Sequence, residues 1–255
     1  MGSDHKRLLE EMYQRTEDPW EYAHSEYEQE KYASSLAALP GTRYGAALEI
    51  GCSEGVFTNL LAERVDRLLA VDVSDIALTR ARFRCASHRH VEFRQFDLVA
   101  DDLAEHFDLI VCSEVLYYVP PFKRLEVARR IVRMLKPGGT LLLVHTLRSH
   151  TRTWPDIYGE GGAERLHRVF TRAFALPVLA RHFADGYEIV VATSSGPELA
   201  RLRRTFETWG VRIRNVYPGL RREVVIRLRR HPLPFRMATR AHARLTRLRR
   251  VGETE

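Results

Sequence analysis

The chain has 255 residues, 45% hydrophobic and 29% charged, with 15 glycines and 11 prolines, a make-up that excludes disordered and fibrous classes and fits one globular body with a sizeable core. Its longest apolar runs, 109–119 and 140–145, are broken by charge or fall far short of the roughly 20 residues a membrane span needs. The formal charge of +7 is not spread evenly: positions 221–255 hold eleven arginines and three glutamates, a surplus of eight, so positions 1–220 carry a net charge of −1.

The opening stretch MGSDHKRLLEEMYQ has no signal-peptide core, and Lys6 stands where a myristoylation motif wants Ser or Thr, so a cytoplasmic chain without membrane attachment is expected. Residues 1–40 read as a helical lid. Asp18 predicts a helix cap with Pro19 in the first position and Glu21 reaching back, and the helix so started carries Trp20, Tyr22, Tyr27 and Tyr32. Those rings suit closure over a cationic ligand, and packing of Trp and Tyr against a sheet is the plain alternative.

From residue 46 onward apolar runs of strand length alternate with helical patterns, which predicts a parallel sheet with helices on both faces. The expected strands are 46–50, 67–73, 91–96, 107–113 and 139–146. Between them VFTNLLAERV, DIALTRARFRCA and FKRLEVARRIVRML read as helices, the last closed by Pro137-Gly138-Gly139. Further on, PELARLRRTFETWG reads as a helix, and VRIRNVY and REVVIRLRR as two strands whose short Pro218-Gly219-Leu220 connection permits only antiparallel pairing. The expected fold class is therefore α/β: a Rossmann-like, doubly wound, seven-stranded and mostly parallel sheet with a C-terminal antiparallel hairpin. Right-handed crossovers place the strand carboxyl ends on one edge, where the ligand crevice of such sheets lies.

Residues 147–196 break the alternation just after a strand carboxyl end. They are rich in His, Arg, Trp, Tyr and Gly and read as an acceptor-side insertion, within which GYEIVVATSS suggests a further strand of no assigned place. The domain reading is thus a lid at 1–40, a catalytic body at 41–230 holding the insertion at 147–196, and a basic tail at 231–255. The tail has Arg236, Arg240, Arg244 and Arg247 at helical spacing, which suits either an anionic partner or a solvated face. Three scattered cysteines, Cys52, Cys85 and Cys112, read as small buried thiols and suggest neither a disulfide framework nor a metal site.

The stretch from Ala47 to Asp75 decides the ligand. Gly51 and Gly55 stand as G-x-x-x-G rather than G-x-G-x-x-G, and the turn offers no Arg or Lys to a phosphate. Glu49 before the turn and Glu54 within it would repel a pyrophosphate, so a cationic, phosphate-free ligand fits better, and S-adenosylmethionine is such a ligand. Asp72, at the end of the second expected strand, is placed to accept both ribose hydroxyls. Asp97 is placed for the adenine amino group, with the Leu98 backbone at the ring edge, and Ser113-Glu114 follow the fourth strand at the crevice.

The run EIGCSEG at 49–55, with Asp72, Asp97 and SEVLYY, resembles the class I S-adenosylmethionine-dependent methyltransferases over roughly positions 40–230. More narrowly, DPWEYAHSEYEQEKY at 18–32, LEIGCSEGVFT at 48–58, SEVLYY at 113–118 and GAE at 162–164 are similar to the NodS-like branch, named for a nodulation N-methyltransferase of an amino sugar. This likeness covers positions 1–170 and fades beyond them. It departs from many class members at Ser53, where they have a middle glycine. The resemblance implies S-adenosylmethionine as cofactor, held by Trp20, Tyr22, Tyr32, Glu49, Gly51, Cys52, Ser53, Gly55, Asp72, Val73, Asp97, Leu98, Ser113 and Glu114, and no metal.

A hydroxyl acceptor needs a base, whereas an amine must arrive neutral. The candidate catalytic residues are His145 at the end of the fifth strand, Glu114 and Tyr117, with Tyr118 beside them and His150 and His167 as weaker candidates; a hydrogen-bonded core histidine is the competing reading of His145. The expected function is methyl transfer to an oxygen or nitrogen of a sugar or sugar-bearing natural product. Two alternatives stand beside it: an RNA methyltransferase using the arginine-rich tail, and a binding module without turnover. A small-molecule sugar or glycoside is the expected partner rather than nucleic acid.

Overall fold

The computed structural model describes residues 3–147, 162–184 and 186–194. Seven strands among them form one sheet: β1 (Tyr44–Ile50), β2 (Val65–Asp72), β3 (Val91–Gln95), β4 (Phe107–Ser113), β5 (Leu135–Thr146), β6 (Val178–Ala184) and β7 (Tyr187–Thr193). The spatial order is β3-β2-β1-β4-β5-β7-β6, with β1 to β5 parallel and β7 antiparallel to both its neighbours. This is the expected mostly parallel, doubly wound class. Strand order reverses between β1 and β4, and the crevice of such a sheet opens beyond the carboxyl ends of those two strands.

Six α-helices accompany the sheet among the described residues: α1 (Ser3–Arg15), α2 (Glu26–Ala37), α3 (Val56–Ala62), α4 (Asp75–Arg84), α5 (Arg124–Met134) and α6 (Gly162–Arg168). Alternate side chains of the central strands serve two cores, as a sheet covered on both faces requires. Leu48, Ile50, Ile110 and Cys112 pack with Val127, Ala128 and Ile131 of α5. Ala47, Leu109 and Val111 pack with Tyr32 of α2 and Phe57 and Leu61 of α3. Cys52, Cys85 and Cys112 are all free thiols and buried. No described helix is long and apolar enough to cross a membrane.

Three expectations change. The antiparallel pair in the structure is β6–β7, within the segment read as the insertion, and β7 is the unplaced GYEIVVATSS strand. An Asp-Gly dipeptide at 185–186 separates the two strands, a strong short-range hairpin signal, and Gly186 has φ 90°. The helix and hairpin expected at 197–230, like the basic tail and His150, lie outside the described residues. Second, no helix starts at Asp18. Its carboxylate instead takes the N–H groups of Tyr22 and Ala23, both at 2.8 Å, and Glu21 at φ 57° turns the chain out of helical geometry until α2 begins at Glu26. Third, β5 begins at Leu135, and Pro137-Gly138-Gly139 fall in an irregularity where pairing with β4 shifts register between Phe107 and Leu109.

Candidate functional site

The chain leaves β1 at Ile50 and must turn sharply to enter α3. Gly51 and Gly55 take left-handed φ of 79° and 78°, and the N–H groups of Gly51 and Cys52 both donate to Val71 O of the neighbouring strand, at 2.8 and 3.0 Å. A Cβ on Gly51 would stand 2.9 Å from Val115 Cγ2, so glycine also permits the close approach of the turn that follows β4. Ser53 holds the middle position at φ 49°, a conformation that is uncommon for a side-chain-bearing residue. Two contacts secure it there: its N–H donates to Asp72 Oδ2 at 2.8 Å, and its hydroxyl lies 2.7 Å from the Tyr13 hydroxyl.

Asp72 ends β2 with its other oxygen accepting from Ser74 N–H at 3.0 Å. Burial raises its carboxyl above the ordinary value, against the pull of those backbone donors. Two backbone bonds use about half of the roughly four lone-pair sites of a carboxylate. Asp72 lines the cleft that opens here, about 700 Å³ counting its mouth.

Asp72, Val73, Asp97, Leu98, Ser113 and Glu114 line this cleft together with Gly51, Ser53, Trp20 and Tyr22. Three carboxylates thus meet there, and the described lining contains no Lys, Arg or His. Cys52, Gly55 and Glu49 stand behind the turn, off the lining, and Tyr32 stacks on Phe57 in the core at 5.1 Å. The acidity of the site differs in origin from the one read in the sequence. Glu54 is ion-paired with Arg80 at 2.6 Å, and burial pushes the Glu49 carboxyl up to about 8, so neither gives the turn a free negative charge at neutral pH. Of the strand-tip acids, Asp72 and Asp97 supply it, whereas Glu114 is itself paired with Lys31 at 3.0 Å.

The N-terminal wall is aromatic. Tyr13 meets Trp20 edge-on at 5.2 Å, and Trp20 stacks on Tyr22 at 5.6 Å. Arg80 of α4 fastens this wall, donating to the carbonyls of Tyr13 (2.7 Å), Thr16 (3.1 Å) and Glu17 (2.8 Å) while pairing with Glu54.

At the other end stands Glu114, with a left-handed φ of 52°. Its Oε1 accepts from Lys31 Nζ at 3.0 Å and Thr146 Oγ1 at 2.8 Å, and its Oε2 from the Tyr117 hydroxyl at 2.8 Å and Thr146 N–H at 3.2 Å. Lys31, 1% exposed, also donates to Glu28 at 2.8 Å. Burial works against its charge, but Glu114 and Glu28 outweigh burial and raise its pKa. Tyr117 is buried off the lining and meets it through its hydrogen bond to Glu114 and its ring contact with Tyr118 at 4.8 Å. His145 is buried off the lining: its Nε2 accepts from Leu116 N–H at 3.1 Å and its Nδ1 lies 2.9 Å from His167 Nε2, so both ring nitrogens are engaged.

The sequence reading passed over Leu9 and Tyr13, although their spacing of four positions puts them on one face of α1, and over Phe96, Val99 and Val119 of the lining. It also passed over Lys31, whose partner lies 83 positions away.

A doubly wound sheet whose seventh strand runs antiparallel, with a glycine turn facing an acid at the next strand tip, defines the class: a class I, S-adenosylmethionine-dependent methyltransferase. A family profile described as nodulation protein S (NodS) matches residues 2–187, and the chain belongs to that family. Nodulation protein S of Bradyrhizobium diazoefficiens is 33% identical over 188 residues, 73% of this chain and 88% of its own. That of Sinorhizobium fredii is 34% identical over 148 residues, 56% of this chain and 67% of its own. The crystal structure of N-methyltransferase NodS from Bradyrhizobium japonicum in complex with S-adenosylhomocysteine superposes with a TM-score of 0.64 at 28% identity, covering 74% of this chain and 97% of that one. The cofactor is S-adenosylmethionine, and the residues that line the cleft fit its cationic, phosphate-free chemistry.

Proposed function

We propose that the chain methylates the nitrogen of an amino sugar or a related sugar-borne amine. The observation that carries this reading is the charge of the cleft, where Asp72 and Asp97 stand without a basic residue in the described lining and Glu114 is balanced by Lys31 behind it, a setting that favours a cationic cofactor and a basic amine over an anionic acceptor. Relatives described as N-methyltransferases support nitrogen as the acceptor atom.

S-adenosylmethionine supplies the methyl group from its sulfonium by in-line displacement. The chain's residues bind, orient and keep the site dry around that centre. Asp72 takes the ribose hydroxyls with the lone pairs its backbone donors leave free, and Asp97 with Leu98 takes the adenine edge. Gly51 and Ser53 shape the turn under the cofactor, backed by Glu49, Cys52 and Gly55, with Val73 and Ser113 on its flanks. Trp20 and Tyr22 present ring faces to positive charge, and Tyr32 anchors α2 beneath them, so that residues 1–40 act as a lid on a body at 41–230. The amine arrives neutral, its proton shed to water before it enters, and Glu114 bounds the acceptor end of the cleft as a fixed carboxylate. Tyr117, Thr146 and Lys31 hold it in place.

The test joins calorimetry and turnover. S-adenosylhomocysteine is expected to bind, and Asp72→Ala to weaken it by at least about tenfold, because two buried N–H donors lose their partner along with the ribose contact. Methyl transfer is expected to a glucosamine disaccharide and not to its fully N-acetylated form. Equal turnover of both, or a methyl found on oxygen, overturns the amine reading; unchanged affinity in Asp72→Ala removes the proposed cofactor contacts.

A further inference from the structure

Behind the cleft wall lies a line of ionisable side chains that the proposed reaction does not use. His145 of β5, His167 of α6 and Glu188 of β7 are each at most 1% exposed, and Arg181 of β6 closes the line on the surface side. Leu116 N–H donates to His145 Nε2 at 3.1 Å, so that nitrogen carries the lone pair and the proton is on Nδ1. His145 Nδ1 lies 2.9 Å from His167 Nε2, which must then accept, leaving the His167 proton on Nδ1. His167 Nδ1 stands 2.9 Å from Glu188 Oε2 in an ion-pair contact, neither atom makes a hydrogen bond of regular geometry, and a ring nitrogen this close to a carboxylate oxygen carries the proton rather than the lone pair. The second oxygen of Glu188 is held by Arg181 through Nε and Nη2. Each contact fixes the protonation of the next, from a guanidinium whose charge is permanent to the backbone amide of Leu116, in a turn whose other residues line the cleft.

That amide belongs to the turn at 113–118. The turn carries Ser113, Glu114, Val115 and Tyr118 of the lining, and its Glu114 backbone is left-handed. A conformation of that kind persists only where its surroundings over-determine it. Glu114 N–H is tied to Val144 O at 2.9 Å and the Glu114 side chain to Thr146, both on β5 beside His145. The opposite tautomer of His145 would set two N–H donors against each other at Leu116. Burial, followed by the neighbouring His167, also holds His145 well below the usual imidazole value, so the ring stays neutral and keeps its acceptor.

We propose that Glu188 and His167 select the Nδ1–H tautomer of His145, and that His145 thereby positions the turn bearing Glu114. The three are positioning residues, and the inference does not depend on which acceptor is methylated.

Nitrogen-15 NMR of the full chain with S-adenosylhomocysteine added tests it directly. At pH 7 the His145 ring is expected neutral with its proton on Nδ1, and His167 is expected to carry its own proton on Nδ1; a His145 ring protonated on Nε2, or cationic, overturns the proposal with no variant needed. In Glu188→Gln the side-chain amide can turn its NH₂ toward His167 and reverse every proton in the line. Exchange of the Leu116 amide is then expected to accelerate about tenfold relative to that of Leu142, the equivalent of one lost hydrogen bond, with S-adenosylhomocysteine affinity within about twofold of the parent. Unchanged Leu116 exchange in the folded variant overturns the proposal. Transfer to the glucosamine disaccharide is expected to lose about tenfold in kcat, with the KM for S-adenosylmethionine unmoved. A parent chain inactive on that disaccharide counts against the amine reading, while the tautomer measurement still decides this one.

Discussion

Glu49 and Ser53 show how single residues at the first turn trade local cost for the shape of the site. Ser53 accepts a left-handed backbone that a glycine would adopt freely, and its bonds to Asp72 and Tyr13 hold it there. Glu49 is buried, with one carboxyl oxygen lacking any partner, and its pKa is raised from about 4.5 to about 8 by that burial. The pH dependence follows from linkage. Between those two values the unfolded chain has ionised Glu49 while the native state keeps its proton, so the native state loses stability as pH rises from about 4.5, and the loss is complete above about 8. Glu49→Gln removes this loss. Its thermal midpoint relative to the parent is therefore expected to be higher at pH 8.5 than at pH 5. Melts followed by circular dichroism check this, and an equal difference at the two pH values would show that Glu49 is ionised in the native state.

At the scale of elements, the N-terminal wall hangs on one side chain. Arg80 gathers three carbonyls from the end of α1 and the carboxylate of Glu54, a fan of acceptors that a guanidinium fork can serve and an ammonium cannot. Arg80→Lys is expected to release residues 13–22 from α4, seen as faster limited proteolysis in that stretch and about tenfold weaker binding of S-adenosylhomocysteine. Parent-like behaviour in both would mean that the wall is held by its aromatic contacts alone. Residues 18–25 also mark the limit of what the sequence makes legible. The five parallel strands, the glycine turn and the acids at positions 72, 97 and 114 can be read because hydrophobic period and strand-end spacing are local signals. A cap residue such as Asp18 is local too, but whether it starts a helix or closes a turn depended on Glu21 turning left-handed, for which the residue type gives no cue. The β6–β7 hairpin had a local signal too, the Asp-Gly dipeptide at 185–186, passed over in the sequence reading. Lys31 and Glu188 were illegible for another reason: the partners that tie them to the site, Glu114 and His167, are distant in sequence and meet them only in the packed fold.

Over the whole molecule, charge is divided along the chain. Positions 1–220 are close to neutral in sum, with an acid-lined cleft, and positions 221–255 carry a surplus of eight positive charges. An RNA acceptor would require the basic segment to deliver a polyanion to a cleft whose described lining holds Asp72, Asp97 and Glu114, and each phosphate near those carboxylates would be repelled. An amine acceptor meets no such conflict. The two readings separate on truncation after residue 230, which removes Arg236, Arg240, Arg244 and Arg247. S-adenosylhomocysteine affinity and transfer to the glucosamine disaccharide are expected to stay within about twofold of the parent. Any retention of the parent on single-stranded RNA is expected to fall steeply with salt, as non-specific counterion release dictates, and to weaken in the truncated chain. Loss of methyl transfer on truncation, with cofactor binding intact, would instead place the basic segment at the acceptor side and make an anionic acceptor the better reading.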